Sequence, residues 1–547
     1  MDISIRSLIT CAEELAWPIT DCVDWFRICS PDRRLAATAR PCPAPATREH
    51  KTSAACYNKE RGDSHGAARH GGSISVSQPG ERRIEHFARG AAAAHARGAL
   101  PAPAGAPASP VGPRARAPAL AHAPRGLPDR RALGRTGSPK GGPFLSANAL
   151  DGIIVLDLSQ FLSGPRCTQL LAMKGATVVK IEPPAGEALR VLTRFMQAER
   201  MMSVINQNKK GLVLDLKNPA GADLFKQLAC KADVVVENFA PGLMDKMGLG
   251  WDTLRELNPR LIYASISGFG RTGPMADRLA FDIIAQATGG IMHACKQEDR
   301  PPKVYWADLV SGAYCALGIL QALLQRERTG QGQLVDISMQ DVMYFHYFGA
   351  QSEKALEPVR GEISSLLGRD LTNLMTDETN PLPYWNSYKT RDGHIAVVAL
   401  TERHWKNLLD AMGEPELAAD PRFNNFVVRT RNCAEGVALV SEWMAQRTTQ
   451  EALETLTAAR VPCAPALTLD QVNSDPQLES RGMLGAVRHP RLGEIRTPGD
   501  PVKLERSGSC ADQPCPELGQ HTDEILSALL GLDDQSIAAL RKQRAVG

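Results

Sequence analysis

The chain is 547 residues long, 43% hydrophobic and 22% charged, with a formal net charge of +3. So small a charge gives no reason to expect a nucleic-acid partner, and no window offers the roughly 20 apolar residues that a membrane span needs. Thirteen cysteines are scattered without a C-x-x-C pair or a His/Cys cluster at metal-ligand spacing, so reduced cytoplasmic thiols and no metal are expected.

The positive excess sits in the first 145 residues, which are rich in Arg. Residues 1–147 carry Ala/Pro/Arg/Gly-rich runs such as PAPAGAPASPVGPRARAPALAHAPRGLP at 101–128. This composition buries too little apolar surface to offset its own ordering entropy, so a disordered extension is expected, with at most a short helix over 7–17. Asp2, Glu13, Glu14, Asp21 and Asp24 argue against a targeting peptide. A basic tail for an anionic partner is the minor alternative. The main expectation is a non-functional extension, from a start codon assigned too far upstream, although no Met lies between Met1 and Met173.

Ordered structure is expected from about Leu150. Residues 153–158 read as an apolar strand, Gly164-Pro165 opens a helix through Lys174, and 176–181 is a second strand. That is a βαβ unit, for which a right-handed crossover is expected. A helix over 220–230, a strand over 233–236, a helix from Pro241 and a strand over 261–265 continue the alternation. The pattern predicts an α/β fold with a Rossmann-like doubly wound parallel sheet. No G-x-G-x-x-G follows the first strand, so neither a nucleotide cofactor nor a dinucleotide-dependent oxidoreductase is inferred.

The stretch 304–341 is the most informative. Asp308 stands in apolar and aromatic company (Tyr305, Trp306, Ala307, Leu309, Val310) at the head of a long amphipathic helix. Leu317, Ile319, Leu320, Leu323 and Leu324 supply its apolar positions, and Arg326 and Arg328 suit the negative end of the helix dipole. Thr329-Gly330-Gln331-Gly332 stops it, and 334–337 reads as a short buried strand. Asp308 has two readings. It is an N-cap, or it is a nucleophile for an activated acyl group, with helix-start N–H groups facing the developing oxyanion. Periodicity does not choose between them.

Past Phe345 the sequence becomes polar and weakly periodic over 346–380, as a linker or active-site loop. A hairpin over 384–388 and 394–399 turns at Arg391-Asp392-Gly393. Helices are expected over 402–412, 432–446 and 450–459, and near the end over 522–531 and 534–542.

Six segments occur in order: LDGIIVLDLSQFLSGPRCTQLLAMKGATVVKIEPP, NKKGLVLDLKNPAG, ADVVVENFAPGLMDKMGLGWDTL, NPRLIYASISGFGRTGP, FDIIAQATGG and the Asp308 stretch. Their order and spacing resemble the class III CoA-transferases of the CaiB/BaiF type, the group of formyl-CoA transferase and carnitine CoA-transferase. The resemblance implies a large CoA-binding domain over 148–345, a linker or active-site loop over 346–380, a smaller α+β domain over 381–463 and a return to the large domain over 464–547. It also implies a homodimer of two interlocked ring-shaped subunits.

It further implies that Asp308 is the nucleophile, passing through an aspartyl anhydride and an aspartyl-CoA thioester. Coenzyme A and acyl-CoA are then substrates, a carboxylic acid is the acceptor, and neither ATP nor metal takes part. By motif matching, CoA contacts fall at Leu162, Ser163, Pro183, Leu214, Asp215, Leu216, Lys217, Asn238, Phe239, Ala240, Lys246, Leu279, Ala280, Phe281 and Asp282. Phe239 would stack on adenine and Lys246 would meet a phosphate as a point charge. Leu162 and Pro183 replace polar or charged residues of formyl-CoA transferase, so steric or backbone contacts are expected there.

The rival with the same fold, α-methylacyl-CoA racemase, moves protons on two faces of its substrate and carries a His before the Asp of G-H-D-I-N-Y. Here the segment reads Ala280-Phe281-Asp282-Ile283-Ile284, and phenylalanine cannot move a proton. A non-catalytic CoA-binding protein would lack Asp308. Gly361 and Gly368 are candidate lid residues, and Arg369 and Arg391 are candidate partners for a substrate carboxylate. Succinate, oxalate and related diacids are the expected acyl groups, with carnitine-type substrates behind them.

Overall fold

The computed structural model describes residues 148–196, 198–300, 302–347, 354–368 and 381–547. The expected disordered extension (1–147) and Arg369 lie outside these residues.

Six parallel strands form the main sheet: β1 (Ile154–Asp157), β2 (Thr177–Glu182), β3 (Lys209–Val213), β4 (Val234–Glu237), β5 (Ile262–Ser267) and β6 (Leu334–Ser338). Their order is β3-β2-β1-β4-β5-β6, with Leu156 level with Val179 on one side and Val235 on the other. Strand side chains alternate in direction, and both sets are apolar. Val155, Val178, Val234, Val236, Ile262 and Ala264 face helices α1 (Ser163–Ala172), α6 (Trp306–Thr329) and α7 (Met339–His346), taking the helix numbers in chain order. Leu156, Val179, Val235 and Tyr263 face α4 (Pro219–Ala229) and the closing helices Thr522–Leu530 and Asp534–Lys542. A parallel sheet covered on both faces results, as the near-continuous apolar strands require. The strand order reverses beside β1, which puts the topological switch point between β1 and β4.

The remaining helices of this unit include α2 (Ala188–Phe195), α3 (Arg200–Asn206) and α5 (Asp282–Thr288). Strand β3 is the element the sequence hid. Its first three residues, Lys209-Lys210-Gly211, are poor strand formers, yet Lys209 points inward and is buried. Strand β6 is not the buried strand expected. It is the sheet edge, paired with β5 alone, and most of its residues are half-buried or exposed. The single helix expected from Pro241 is two short ones, Leu243–Lys246 and Trp251–Leu257.

Helix α6 corrects a second expectation. By length and composition it is apolar enough to cross a membrane. Here it lies along the sheet, burying Ala307, Ser311, Gly312, Cys315, Ala316, Ile319, Ala322, Leu323 and Arg326. Leu317, Leu320 and Leu324 stay exposed beside Gln321 and Gln325, so the outer face is partly apolar and the helix is less cleanly amphipathic than expected. Gly330 closes it in the left-handed conformation (φ +74°), as the Thr-Gly-Gln-Gly signal required.

A smaller unit has its own core. Strands β7 (Trp385–Lys389), β8 (His394–Val398) and β9 (Cys463–Pro465) make an antiparallel sheet under helices Glu402–Met412, Cys433–Ala445 and Thr449–Ala458, packed through Tyr384, Tyr388, Trp405, Leu409 and Trp443. The segment read as a linker contains a helix, Arg360–Leu367. Gly361 is inside that helix and Gly368 caps it in the left-handed conformation against Arg431, so neither glycine belongs to a described lid loop. A hairpin that the sequence reading did not anticipate, β10 (Leu484–His489) and β11 (Gly493–Pro498), precedes the closing helices.

Candidate active site

The loop from β1 into α1 is held in place by buried side chains. Asp157, at the end of β1, accepts from the Ser159 amide (3.0 Å), the Thr168 hydroxyl (2.7 Å) and Lys209 Nζ (2.9 Å). Lys180 Nζ donates to the Ser159 carbonyl at 2.9 Å. Burial alone would raise the Asp157 carboxyl, but the charges of Lys209 and Lys180 and the hydroxyls of Ser159 and Thr168, both donating to it, outweigh it and hold it at about 2. At the switch point Asn238, just past β4, reaches across to the same loop. Its Oδ1 accepts from Gln160 N (2.8 Å), and its Nδ2 donates to Gln160 O (2.8 Å) and Ser163 Oγ (3.1 Å). Phe161 sits between these anchors in the left-handed region (φ +58°). Its ring packs edge-on against Phe281, with centroids 5.6 Å apart.

Asp308 lies in the first turn of α6 and is half-buried. It is not the N-cap. Tyr305 holds that position, and no side chain caps the helix from there. The amide of Asp308 is instead capped from another helix: it donates to Asp282 Oδ1 at 3.1 Å. Asp282 Oδ2 accepts from Gln286 Nε2 at 2.6 Å, and the same Nε2 donates to the Val304 carbonyl at 2.9 Å. The carboxylate of Asp308 accepts no hydrogen bond among the described residues. Lost hydration, and then the Asp282 charge, push it up to about 7.

Close packing fixes where α6 starts. A Cβ on Gly312 would lie 2.4 Å from the Ser163 carbonyl oxygen and 2.9 Å from Arg166 Cβ, so only glycine lets α6 cross α1 at this point. The expected oxyanion donors are mostly engaged. The Trp306 amide donates to Val304 O, that of Asp308 to Asp282, and that of Leu309 to Tyr305 O. Ala307 keeps the one first-turn amide without a partner among the described residues.

The other expected site residues lie along the carboxyl edge of the sheet. Leu162 and Ser163 begin α1, Pro183 follows β2, Leu214 to Lys217 follow β3, and Asn238 to Ala240 follow β4. Several are structurally occupied. Leu214 is buried and bridges to Val546, Asp215 accepts from the Lys217 amide at 2.9 Å, and Phe239 is half-buried against the core cluster on that face of the sheet. Pro183, Ala240, Lys246, Leu279 and Phe281 are exposed, and Ala280 is half-buried. Arg391 lies on the small-unit hairpin, paired with Glu451 at 2.8 Å. Among the described residues no group of three His, Cys, Asp or Glu side chains could hold a metal ion.

The sequence reading missed Lys180, Lys209, Gln160, Phe161 and Gln286. Gln286 left a trace, since it stands four residues after Asp282 on a helix, a spacing at which side chains meet. The lysines left none, because lysine in a strand normally marks an exposed face.

Residues 150–522 match the profile of CoA-transferase family III. Succinyl-CoA–D-citramalate CoA-transferase of Chloroflexus aurantiacus is 37% identical over 404 residues, 73% of this chain and 98% of that enzyme. Formyl-CoA:oxalate CoA-transferase of Streptomyces avermitilis is 36% identical over 409 residues, covering 73% and 99%. The crystal structure of a CaiB/BaiF family protein from Brucella suis superposes with a TM-score of 0.59 at 30% identity, covering 70% of this chain and all of that one. With the sheet, the switch point and the Asp308 helix in place, the chain belongs to CoA-transferase family III.

Proposed function

We propose that this CoA-transferase works through covalent catalysis at Asp308. One observation carries the reading: a carboxylate with no hydrogen-bond partner of its own among the described residues stands at the head of α6 beside a second carboxylate. A structural aspartate would be paired. An unpaired, poorly hydrated one is poised to attack.

The Asp308 carboxylate adds to the thioester carbonyl of a donor acyl-CoA. The C–S bond breaks, leaving an acyl-aspartyl anhydride and CoA thiolate. The thiolate then attacks the aspartyl carbonyl and expels the donor acid, which gives aspartyl-CoA. An acceptor carboxylate attacks that thioester, releasing the thiolate and forming a second anhydride. Thiolate attack on the acceptor carbonyl gives the new acyl-CoA and frees Asp308. Thioester energy is conserved throughout, and water must be kept out because both anhydrides hydrolyse. CoA would lie over the loops after β1 to β4, with Lys246 near a phosphate. Short acids of the succinate, citramalate, formate and oxalate kind are the proposed acyl groups, in line with the relatives' substrates.

A second copy of the chain is the proposed partner. Leu317, Leu320 and Leu324 on α6 and Tyr344 and Phe345 on α7 are exposed, and exposed apolar side chains grouped on two neighbouring helices suit a protein partner. Racemisation is disfavoured by Phe281, which offers no proton at the position before Asp282.

Intact-protein mass after incubation with succinyl-CoA and formyl-CoA, with and without hydroxylamine, tests the mechanism. A hydroxylamine-sensitive adduct on the wild type and none on Asp308→Ala is expected. CoA binding without an adduct on either protein would defeat it.

A further inference from the structure

Motif matching gives Asp282 to coenzyme A, but the structure spends its carboxylate differently. Oδ1 is taken by the Asp308 amide at 3.1 Å and Oδ2 by Gln286 at 2.6 Å, with the side chain buried. Gln286, fully buried, joins that carboxylate to the Val304 carbonyl, four residues ahead of Asp308. The three groups form a strut between the start of α5 and the start of α6. An anion placed there would also repel the phosphates of CoA.

We propose that Asp282 is a positioning residue for the transfer reaction, clamping the Asp308 main chain and placing a second negative charge beside the nucleophile. The proposal rests on the reading of Asp308 as nucleophile. Hydrogen bonding through the amide fixes the direction of the first turn of α6 without using the Asp308 carboxylate. The charge makes protonation of Asp308 easier, adding to the loss of hydration.

The other titratable groups around this turn are few. On α1, Arg166 lies against Gly312, a turn beyond Asp308, with its guanidinium bonded to Gln169 Oε1 at 2.8 Å. Tyr305 holds the N-cap position of α6 without capping it through its side chain, Cys315 and Cys167 are buried further along the α1–α6 contact, and Cys515 is buried in the cluster that receives Leu309. Asp341 and His346 belong to α7, at its two ends. Among the described residues Asp282, and none of these others, acts on Asp308 through its charge.

The test is the pH dependence of single-turnover adduct formation with succinyl-CoA and formyl-CoA, on the full chain, from pH 5 to 9. Asp282→Asn keeps an acceptor for the Asp308 amide and loses the charge. Its acid-side midpoint is expected to fall by about half a unit to one unit, with CoA affinity within twofold of the wild type. Gln286→Leu loosens the strut but keeps the charge, and is expected to slow adduct formation about tenfold at an unmoved midpoint. An unmoved midpoint in folded Asp282→Asn, or a full rate in Gln286→Leu, would overturn the proposal. A loss of CoA affinity at an unmoved midpoint would return Asp282 to a ligand-contact role. If Asp282→Asn does not fold, Gln286→Leu decides alone. No adduct on the wild type would instead overturn the nucleophile reading underneath.

Discussion

Lys209 Nζ lies 2.9 Å from Asp157 Oδ2, and neither side chain reaches water. The pair joins the start of β3 to the end of β1, directly under the loop that carries Phe161 to Ser163. A buried ion pair contributes little net stability, but breaking it leaves one charge stranded. Lys209→Met should therefore cost about 3–5 kcal/mol, read as a lower urea midpoint at pH 7. A loss below 1 kcal/mol would mean that the network tolerates a bare Asp157.

The same carboxylate makes an acid-stability prediction. Its folded value of about 2 lies below its ordinary 3.8. The stability it contributes is present above pH 3.8 and is lost as pH falls through 2. Asp157→Asn should be less stable than the wild type at pH 7, with the gap closing between about pH 4 and pH 2. Thermal melts across that range measure it.

Asp308 shows the opposite sign. Its folded value of about 7 lies above its ordinary 3.8, so the fold favours the protonated acid. That preference stabilises the fold below pH 3.8 and is lost as pH rises to 7. Asp308→Asn should gain Tm relative to the wild type between pH 4 and 7 and hold that gain above it. An inactive variant that melts higher at pH 8 would be the signature of a group kept reactive at the expense of stability.

Gly312→Ala tests the crossing of α1 and α6. The new methyl meets the Ser163 carbonyl, which is backbone and cannot step aside. A loss of about 1–3 kcal/mol is expected, along with slower adduct formation, because the head of α6 must move. Wild-type kinetics in this variant would separate the crossing from the chemistry.

Deuterium exchange distinguishes transfer from racemisation. With a single epimer of a 2-methylacyl-CoA in D2O, no deuterated product of inverted configuration is expected, since Phe281 supplies no acid or base for the second face. Inversion with deuterium uptake at a rate comparable to CoA transfer would revive the racemase reading.

The sheet was legible because β1, β2, β4 and β5 are apolar on both faces and alternate with helical periods. Helices Glu402–Met412 and Asp534–Lys542 were placed to the residue, each having a clear cap: Thr401 before one and Asp533 before the other. Strand β3 was not legible, because Lys209 is buried for the sake of Asp157, which lies 52 positions away. The edge position of β6 could not be read either, since an apolar run does not say how many neighbours it has. The proposed role of Asp308 as nucleophile rests on family resemblance and not on periodicity. The Asp282–Gln286 strut was written as an i, i+4 pair, but its purpose depends on where α6 begins.

One helix carries Asp308 in its first turn and Arg326 in its last. Arg326 donates to Asp233 Oδ1 (3.1 Å), whose Oδ2 accepts from the first amide of β1 (2.9 Å). Eighteen residues of helix make about 27 Å, so the two ends share nothing but the rod between them. A genetic screen for lost activity would nonetheless recover both positions. Arg326 substitutions would be scored beside Asp308 as active-site lesions, although Arg326 bonds only to Arg260 and Asp233 among the described residues. Separating the two classes would take suppressors: a second change that re-anchors the far end of the helix can restore an Arg326 mutant, and none can restore the missing carboxylate.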